Sequence, residues 1–212
     1  RDLLTLLAVF PRLTALPAVM GNPGDRLENY VNPTARRVSA NRTGTSQSDV
    51  WGVSGTLTID FARFTAKAIF AYRSLESSDR DGDLDGTPYD LFTNLERDER
   101  QHQFSQELQA YGDALGERLD WIGGLYYFDE RTTFAQRIQA LVPATLISTE
   151  NMPRGTANND SLAAYAQLRY AVTPKLGITA GLRYNQDRRQ LASRNARRTA
   201  GLEVCTLDSA VR

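Results

Sequence analysis

The sequence predicts an all-β fold: part of the antiparallel wall of a transmembrane β-barrel. Three observations predict it. From residue 50 onward apolar residues recur with a period of two, the alternating segments come in pairs joined by very short turns, and the pairs are separated by long polar stretches. A period of two marks strands that place one face in an apolar medium. The segments of about ten to twelve residues match the roughly 9 to 11 that a tilted membrane strand needs.

In order along the chain, residues 1 to 48 carry no such alternation and form a loop-rich segment, expected to be an extracellular loop. "LLTLLAVFPRLTALPAVM" (3 to 20) is apolar, but Pro11, Arg12 and Pro17 interrupt it and Arg12 would sit near a bilayer centre, so it is no membrane helix. Asp2 also spoils it as a signal peptide, and we expect loop there with one short turn or strand. The chain starts at Arg1 and stops at Arg212 in mid-pattern, which reads as a fragment.

Residues 49 to 191 form the partial barrel. In 50 to 61 the apolar set is odd (Trp51, Val53, Leu57, Ile59, Phe61), and in 63 to 74 it is even (Phe64, Ala66, Ala68, Phe70, Tyr72). A tight turn at Ala62 makes these a hairpin. A second hairpin pairs the face Phe104, Leu108, Ala110 with Leu119, Trp121, Leu125, Tyr127 through "DALGE" (113 to 117). A third joins Leu162, Ala164, Ala166, Leu168, Tyr170 to Leu176, Ile178, Ala180, Leu182, Tyr184 across "TPK" (173 to 175). The polar stretches 76 to 100, 129 to 160 and 188 onward are expected to be long loops, the last ending in a truncated extracellular loop over 192 to 212. A soluble antiparallel sandwich also alternates; the short turns on one side against long loops on the other favour the membrane wall. The short turns are then periplasmic. Six strands are too few to close even a barrel of eight, so the edges need partners.

Composition excludes other classes. The formal net charge is zero and hydrophobic residues make up 41%, which suits neither nucleic-acid binding nor disorder. The basic runs at 35 to 37 and 194 to 198 read as solvated loops. Cys205 is the single cysteine, so no internal disulfide framework exists.

The stretch "DRDGDLDG" (79 to 86) places Asp79, Asp81, Asp83 and Asp85 at alternate positions. It is no EF-hand, since neither register puts both the glycine and the final Glu in place. Four hard oxygen donors still make a candidate structural Ca2+ site, beside the plainer reading of a hydrophilic loop. His102 and Ser105 invite a hydrolase reading, yet on a strand they face opposite ways and no orienting carboxylate stands out. No enzyme is expected.

"SQELQAYGDALGERLDWIGGLYYFDER" (105 to 131) and "SLAAYAQLRYAVTPKLGITAGLRYNQDRRQL" (161 to 191) resemble the mid-barrel of TonB-dependent outer-membrane receptors, whose hairpins carry A-x-Y-x-Q followed by G-x-R-Y; Ala163, Tyr165, Gln167 and Gly181, Arg183, Tyr184 match. The resemblance covers about 50 to 191. It implies a bacterial outer-membrane location and uptake of a scarce bulky nutrient, such as an iron-siderophore complex, through a barrel of roughly 22 strands closed by a plug. The implied partners are outer-membrane lipid, the plug of the same full-length chain, the TonB complex through a missing N-terminal region, and a small-molecule ligand such as a metal chelate. Glu107, Gln109, Arg169, Arg183 and Asn185 become lumen-facing candidates for plug contact. Tyr89, Phe92, Arg137 and Arg154 are loop candidates for the ligand. Other readings left open are a porin-like channel or adhesin, and a soluble β-sandwich binding sugar with calcium.

Overall fold

The computed structural model describes residue 17 and residues 22–30, 38–142, 147–200 and 202–211. Seven strands form one antiparallel sheet in sequence order: β1 (Thr45–Asp60), β2 (Thr65–Asp83), β3 (Phe92–Ala114), β4 (Leu119–Val142), β5 (Ile147–Thr173), β6 (Leu176–Thr199) and β7 (Leu202–Val211). β1 and β7 each pair on one side only, so the sheet is open.

The register explains how alternation becomes one continuous apolar surface. Leu57 pairs with Ala68, Ala68 with Leu108, Leu108 with Leu125, Leu125 with Ala164 and Ala164 with Tyr184. Directly paired residues share a face, so this row crosses six strands without a charge. The face is bare: Leu57 is 58% exposed, Leu125 55% and Leu182 79%. Aromatic rings border it. Phe61 stacks on Phe64 at 4.6 Å and Phe64 lies 6.5 Å from Trp121 at the short-turn end, while Trp51 sits 5.3 Å from Tyr72 at the other. At about 3.3 Å per residue and a tilt near 45°, the strand from Trp51 to Phe61 spans roughly 23 Å, close to the height of an outer-membrane apolar band.

The turns below this band are as short as the sequence predicts. Phe61 N–H donates to the Phe64 carbonyl at 2.9 Å to close one, and Leu115, Gly116 and Glu117 all adopt positive φ in the next. The stretches expected as long loops are different. Residues 76–83 and 92–100 continue β2 and β3, 129–142 and 147–160 continue β4 and β5, and 188–199 continue β6. β7 occupies the segment where loss of alternation predicts a truncated loop, and it makes the strand count seven where alternation predicts six. The asymmetry of the sheet therefore lies in strand overhang beyond the apolar band. Above the band both faces meet water, so the strands persist without hydrophobic alternation.

The reading of 3 to 20 lies outside the described residues except for Pro17, which is buried, and the basic run 35 to 37 lies outside them altogether. The basic run 194 to 198 belongs to β6 and not to a loop. Cys205 belongs to β7, where its backbone pairs with Ala196 beside a bulge.

Candidate functional site

The face opposite the apolar band gathers most of the residues singled out from the sequence. Register places Lys67, Gln109, Gly124, Tyr165 and Arg183 in one cross-strand row, with Glu107, Tyr126, Ala163 and Asn185 in the next. The two rows interlock. Glu107 Oε1 accepts from the Tyr165 hydroxyl at 2.6 Å and from Gln109 Nε2 at 3.0 Å. Arg183 lies over the Tyr165 ring at 5.9 Å and its Nε donates to Asn185 Oδ1 at 2.7 Å.

Gly124 makes this network geometrically open. A Cβ there would stand 2.5 Å from Tyr165 Cζ and 2.6 Å from its hydroxyl, so only glycine lets the ring lie flat across β4 and reach Glu107 on β3. Tyr165 and Gly124 are the members that the candidate list lacks. A local signal did exist: the doublet Gly123-Gly124 breaks an otherwise aromatic strand, and a glycine inside a strand often marks a close approach. Arg169 is set apart, pairing with Asp120 at 3.6 Å near the short turns. That pair is largely exposed.

His102 sits on the other face, just above the apolar band, with Nδ1 3.0 Å from the Tyr72 hydroxyl and 3.3 Å from Ser74 Oγ. Ser105 pairs with Ala71 and Phe128 on the polar face. The two do not meet.

At the end away from the short turns, the acidic stretch is spent on its own backbone and on the segment that enters β1. Asp83 Oδ1 accepts the backbone N–H of Asp85 at 3.0 Å and of Gly86 at 2.6 Å, while Oδ2 accepts that of Asn41 at 3.0 Å. Asp85 accepts the backbone N–H groups of Thr87 and Phe92, both at 2.9 Å. Burial pushes the Asp85 carboxyl up, against the opposing pull of its Thr87 hydrogen bond. Asp81 pairs with Arg42, whose Nε also meets Asp90 at 2.8 Å. The guanidinium holds the Asp90 carboxyl below its usual range. Asp79 stays on β2, paired in register with Ser46 and Arg97. Among the described residues no group of three or more His, Cys, Asp or Glu is arranged to hold a metal ion. The residues do not fit a calcium cage; the cation beside this loop is Arg42.

The same end contains a small apolar core. Leu27, in a 3-10 turn (Leu27–Tyr30), is fully buried with Tyr89, and Tyr30, Leu91 and Leu141 pack around them. Asp25 accepts the Tyr89 hydroxyl at 2.5 Å, the Tyr30 hydroxyl, and Asn29 Nδ2 at 3.1 Å. The Tyr30 and Tyr89 bonds lower its carboxyl from the ordinary 3.8 to about 2. Tyr89 is thus buried as a packing residue, where the sequence reading expects an accessible loop residue. Arg137 is committed too, meeting Glu96 at 3.3 Å and Glu150 at 4.0 Å. Phe92 remains largely exposed, and Arg154 lies on β5.

Comparison with known proteins agrees with this architecture. Residues 9–203 match the family described as TonB dependent receptor-like, beta-barrel. No curated protein matches the chain. Among solved structures, the chain is similar to the ferric yersiniabactin uptake receptor FyuA from Yersinia pestis, with a TM-score of 0.53 and 19% identity. The match covers 80% of this chain and 24% of the receptor, so the chain spans about a quarter of that protein's length.

Proposed function

Since the chain belongs to the TonB-dependent receptor-like β-barrel family, we propose that it forms part of the barrel wall of a bacterial outer-membrane receptor that imports a scarce, bulky nutrient such as an iron-siderophore complex. It is a transporter segment with no catalytic step. One observation carries the reading: a single sheet bears a bare, charge-free apolar band on one face and a hydrogen-bonded polar network on the other. A bilayer accepts the first face at no desolvation cost, and a wet, plugged lumen accepts the second.

In this reading Leu57, Leu125 and Leu182 meet outer-membrane lipid. Glu107, Gln109, Arg183 and Asn185, organised by Tyr165, meet the plug of the full-length chain, with Arg169 contributing closer to the periplasmic turns. The plug and the segment that engages the TonB complex are supplied by other parts of that chain. The similarity to a ferric siderophore receptor supports the choice of a metal chelate as cargo.

The test is uptake. A strain deleted for the full-length receptor should lose accumulation of a radio-iron-loaded siderophore from its panel of usable chelates, and the same loss should follow removal of TonB. Accumulation that persists without TonB would make the protein a diffusion channel. Arg183→Ala in the full-length receptor should loosen plug seating and raise passive entry of a large antibiotic; unchanged entry with unchanged uptake would remove the network from plug contact.

A further inference from the structure

The short-turn end of the sheet is stepped. β2 begins at Thr65, paired with Tyr111, while β3 runs on through Gly112, Asp113 and Ala114 in pairing with β4. The β3–β4 hairpin therefore stands beyond the β1–β2 turn, and a notch opens beside it. Gly112 brings the two together: a Cβ there would stand 2.8 Å from the Arg63 carbonyl oxygen, so the turn lies directly against β3. The notch is a cavity of about 760 Å³, within the usual range of small-molecule sites, and both faces of the sheet contribute to its lining.

The two parts of the lining differ in chemistry. From the apolar face come Phe61, Phe64 and Trp121, the rings that border the band at this end. Rings at that level mark the boundary between hydrocarbon and headgroups. From the polar face and the turn come Arg63, Asp113 and Asp120. Asp113 and Asp120 are directly opposite each other on β3 and β4, and like charges so placed destabilise a sheet until a cation joins them. Arg169 meets Asp120 at 3.6 Å. Among the described residues, Arg63 and Asp113 make no side-chain hydrogen bond or ion pair.

A cavity with a guanidinium, a carboxylate and an aromatic wall is complementary to a ligand that carries both charges and an acyl chain. A phosphate accepts paired N–H bonds from a guanidinium, and an ammonium donates to a carboxylate. We propose that this notch holds the headgroup of one zwitterionic phospholipid, a phosphatidylethanolamine of the periplasmic leaflet. Arg63 takes the phosphate, Asp113 takes the ammonium, and the glycerol end runs along Phe61, Phe64 and Trp121 into the band. The proposal rests on the outer-membrane reading given above. It adds a lipid chosen by its headgroup to a surface that otherwise meets lipid through hydrocarbon. Asp113 sets the choice: phosphatidylglycerol brings no cation to it, and the quaternary ammonium of phosphatidylcholine has no N–H to donate.

Native mass spectrometry of the full-length receptor, released from detergent in the presence of these three lipids with matched acyl chains, tests the site. Wild type should retain phosphatidylethanolamine about tenfold better than either of the others. Asp113→Asn should abolish that preference, and Arg63→Gln should weaken retention of all three lipids, since each carries the phosphate. Equal retention of the three by wild type overturns the site, as does a preference that survives Asp113→Asn or retention that Arg63→Gln leaves unchanged. The wild-type comparison needs no variant, so it decides even where a substitution prevents folding. A benzophenone side chain placed at Ala114, which also lines the notch, should yield a phosphatidylethanolamine adduct on irradiation of cells. A cross-link to another segment of the receptor would instead mean that its own chain fills the notch, and the proposal would fall. A receptor that leaves the membrane fraction without detergent and retains no lipid would sink the outer-membrane reading together with the site. Failed chelate uptake by a receptor whose lipid preference is intact would count against import and leave the site standing.

Discussion

The apolar band and the small core at the end of the sheet away from the short turns, here its outer mouth, follow opposite rules. In the band the leucines and aromatic rings face outward and the sheet has no interior of its own. At the mouth a leucine with no exposed surface, two tyrosines and a web of carboxylate bonds make the small core found among the described residues. The difference teaches where each region obtains its stability. In the proposed reading the band has lipid as its solvent, so its leucines count only when a bilayer covers them. The mouth stands in water and must bury its apolar groups internally, as any soluble domain does.

The sharpest way to break the comparison is to charge the band. Leu125→Arg, near its middle, should cost about 2 to 4 kcal/mol of folding stability in lipid vesicles. The same arginine at Gln109, one face over, should be nearly silent in that measurement, since the polar face is wet. Equal losses at both sites would mean that the band does not face lipid.

A smaller effect separates the polar network from both regions. Gly124→Ala drives a methyl group into Tyr165, so the ring must leave Glu107, at about 1 to 3 kcal/mol for the crowding. Tyr165→Phe, which keeps the ring and loses the bond, should cost about 1 kcal/mol. Denaturant titration of the refolded barrel reads both, and a Gly124→Ala barrel as stable as wild type would show that the ring does not lie over that glycine.

The smallest effect tunes the mouth alone. The depressed carboxyl of Asp25 stabilises the Leu27–Tyr89 core fully above its ordinary value of 3.8, and this contribution fades as the pH falls toward about 2. Pepsin, active across that window, should nick the mouth of wild type more slowly than that of Asp25→Asn near pH 4, with the gap closing toward pH 2. A ratio that stays constant across the window would mean that Asp25 does not stabilise this core.

What could be read in the sequence follows the same division. Alternation exposed the band because lipid on one side and water on the other impose a period of two; every apolar position from Trp51 to Tyr184 assigned to that face lies on it. Above the band the signal vanishes for a physical reason. Runs such as Glu99-Arg100-Gln101-His102 have water on both faces, so nothing distinguishes odd from even, and strand reads as loop. The candidates Glu107, Gln109, Arg183 and Asn185 were legible as a polar face, whereas Tyr165 reaching across Gly124 is a contact between strands that only register creates. The small core at the outer end was not legible at all. Leu27 and Tyr89 sit in stretches without periodic alternation and are joined across a separation of 62 positions that no local pattern encodes.

The overhang of β5 also sets an electrostatic scale. Its first fifteen residues, 147 to 161, stand beyond the apolar band; at the same tilt they carry the start of β5 roughly 35 Å above it. Ionic screening in physiological salt decays over about 8 Å, so the charge of the lipid headgroups is extinguished well before that height. In the proposed import reading, an approaching solute would therefore be steered by the charges of the wall itself, where Arg137, Glu150, Arg198 and Glu203 interlink, and not by the headgroups below.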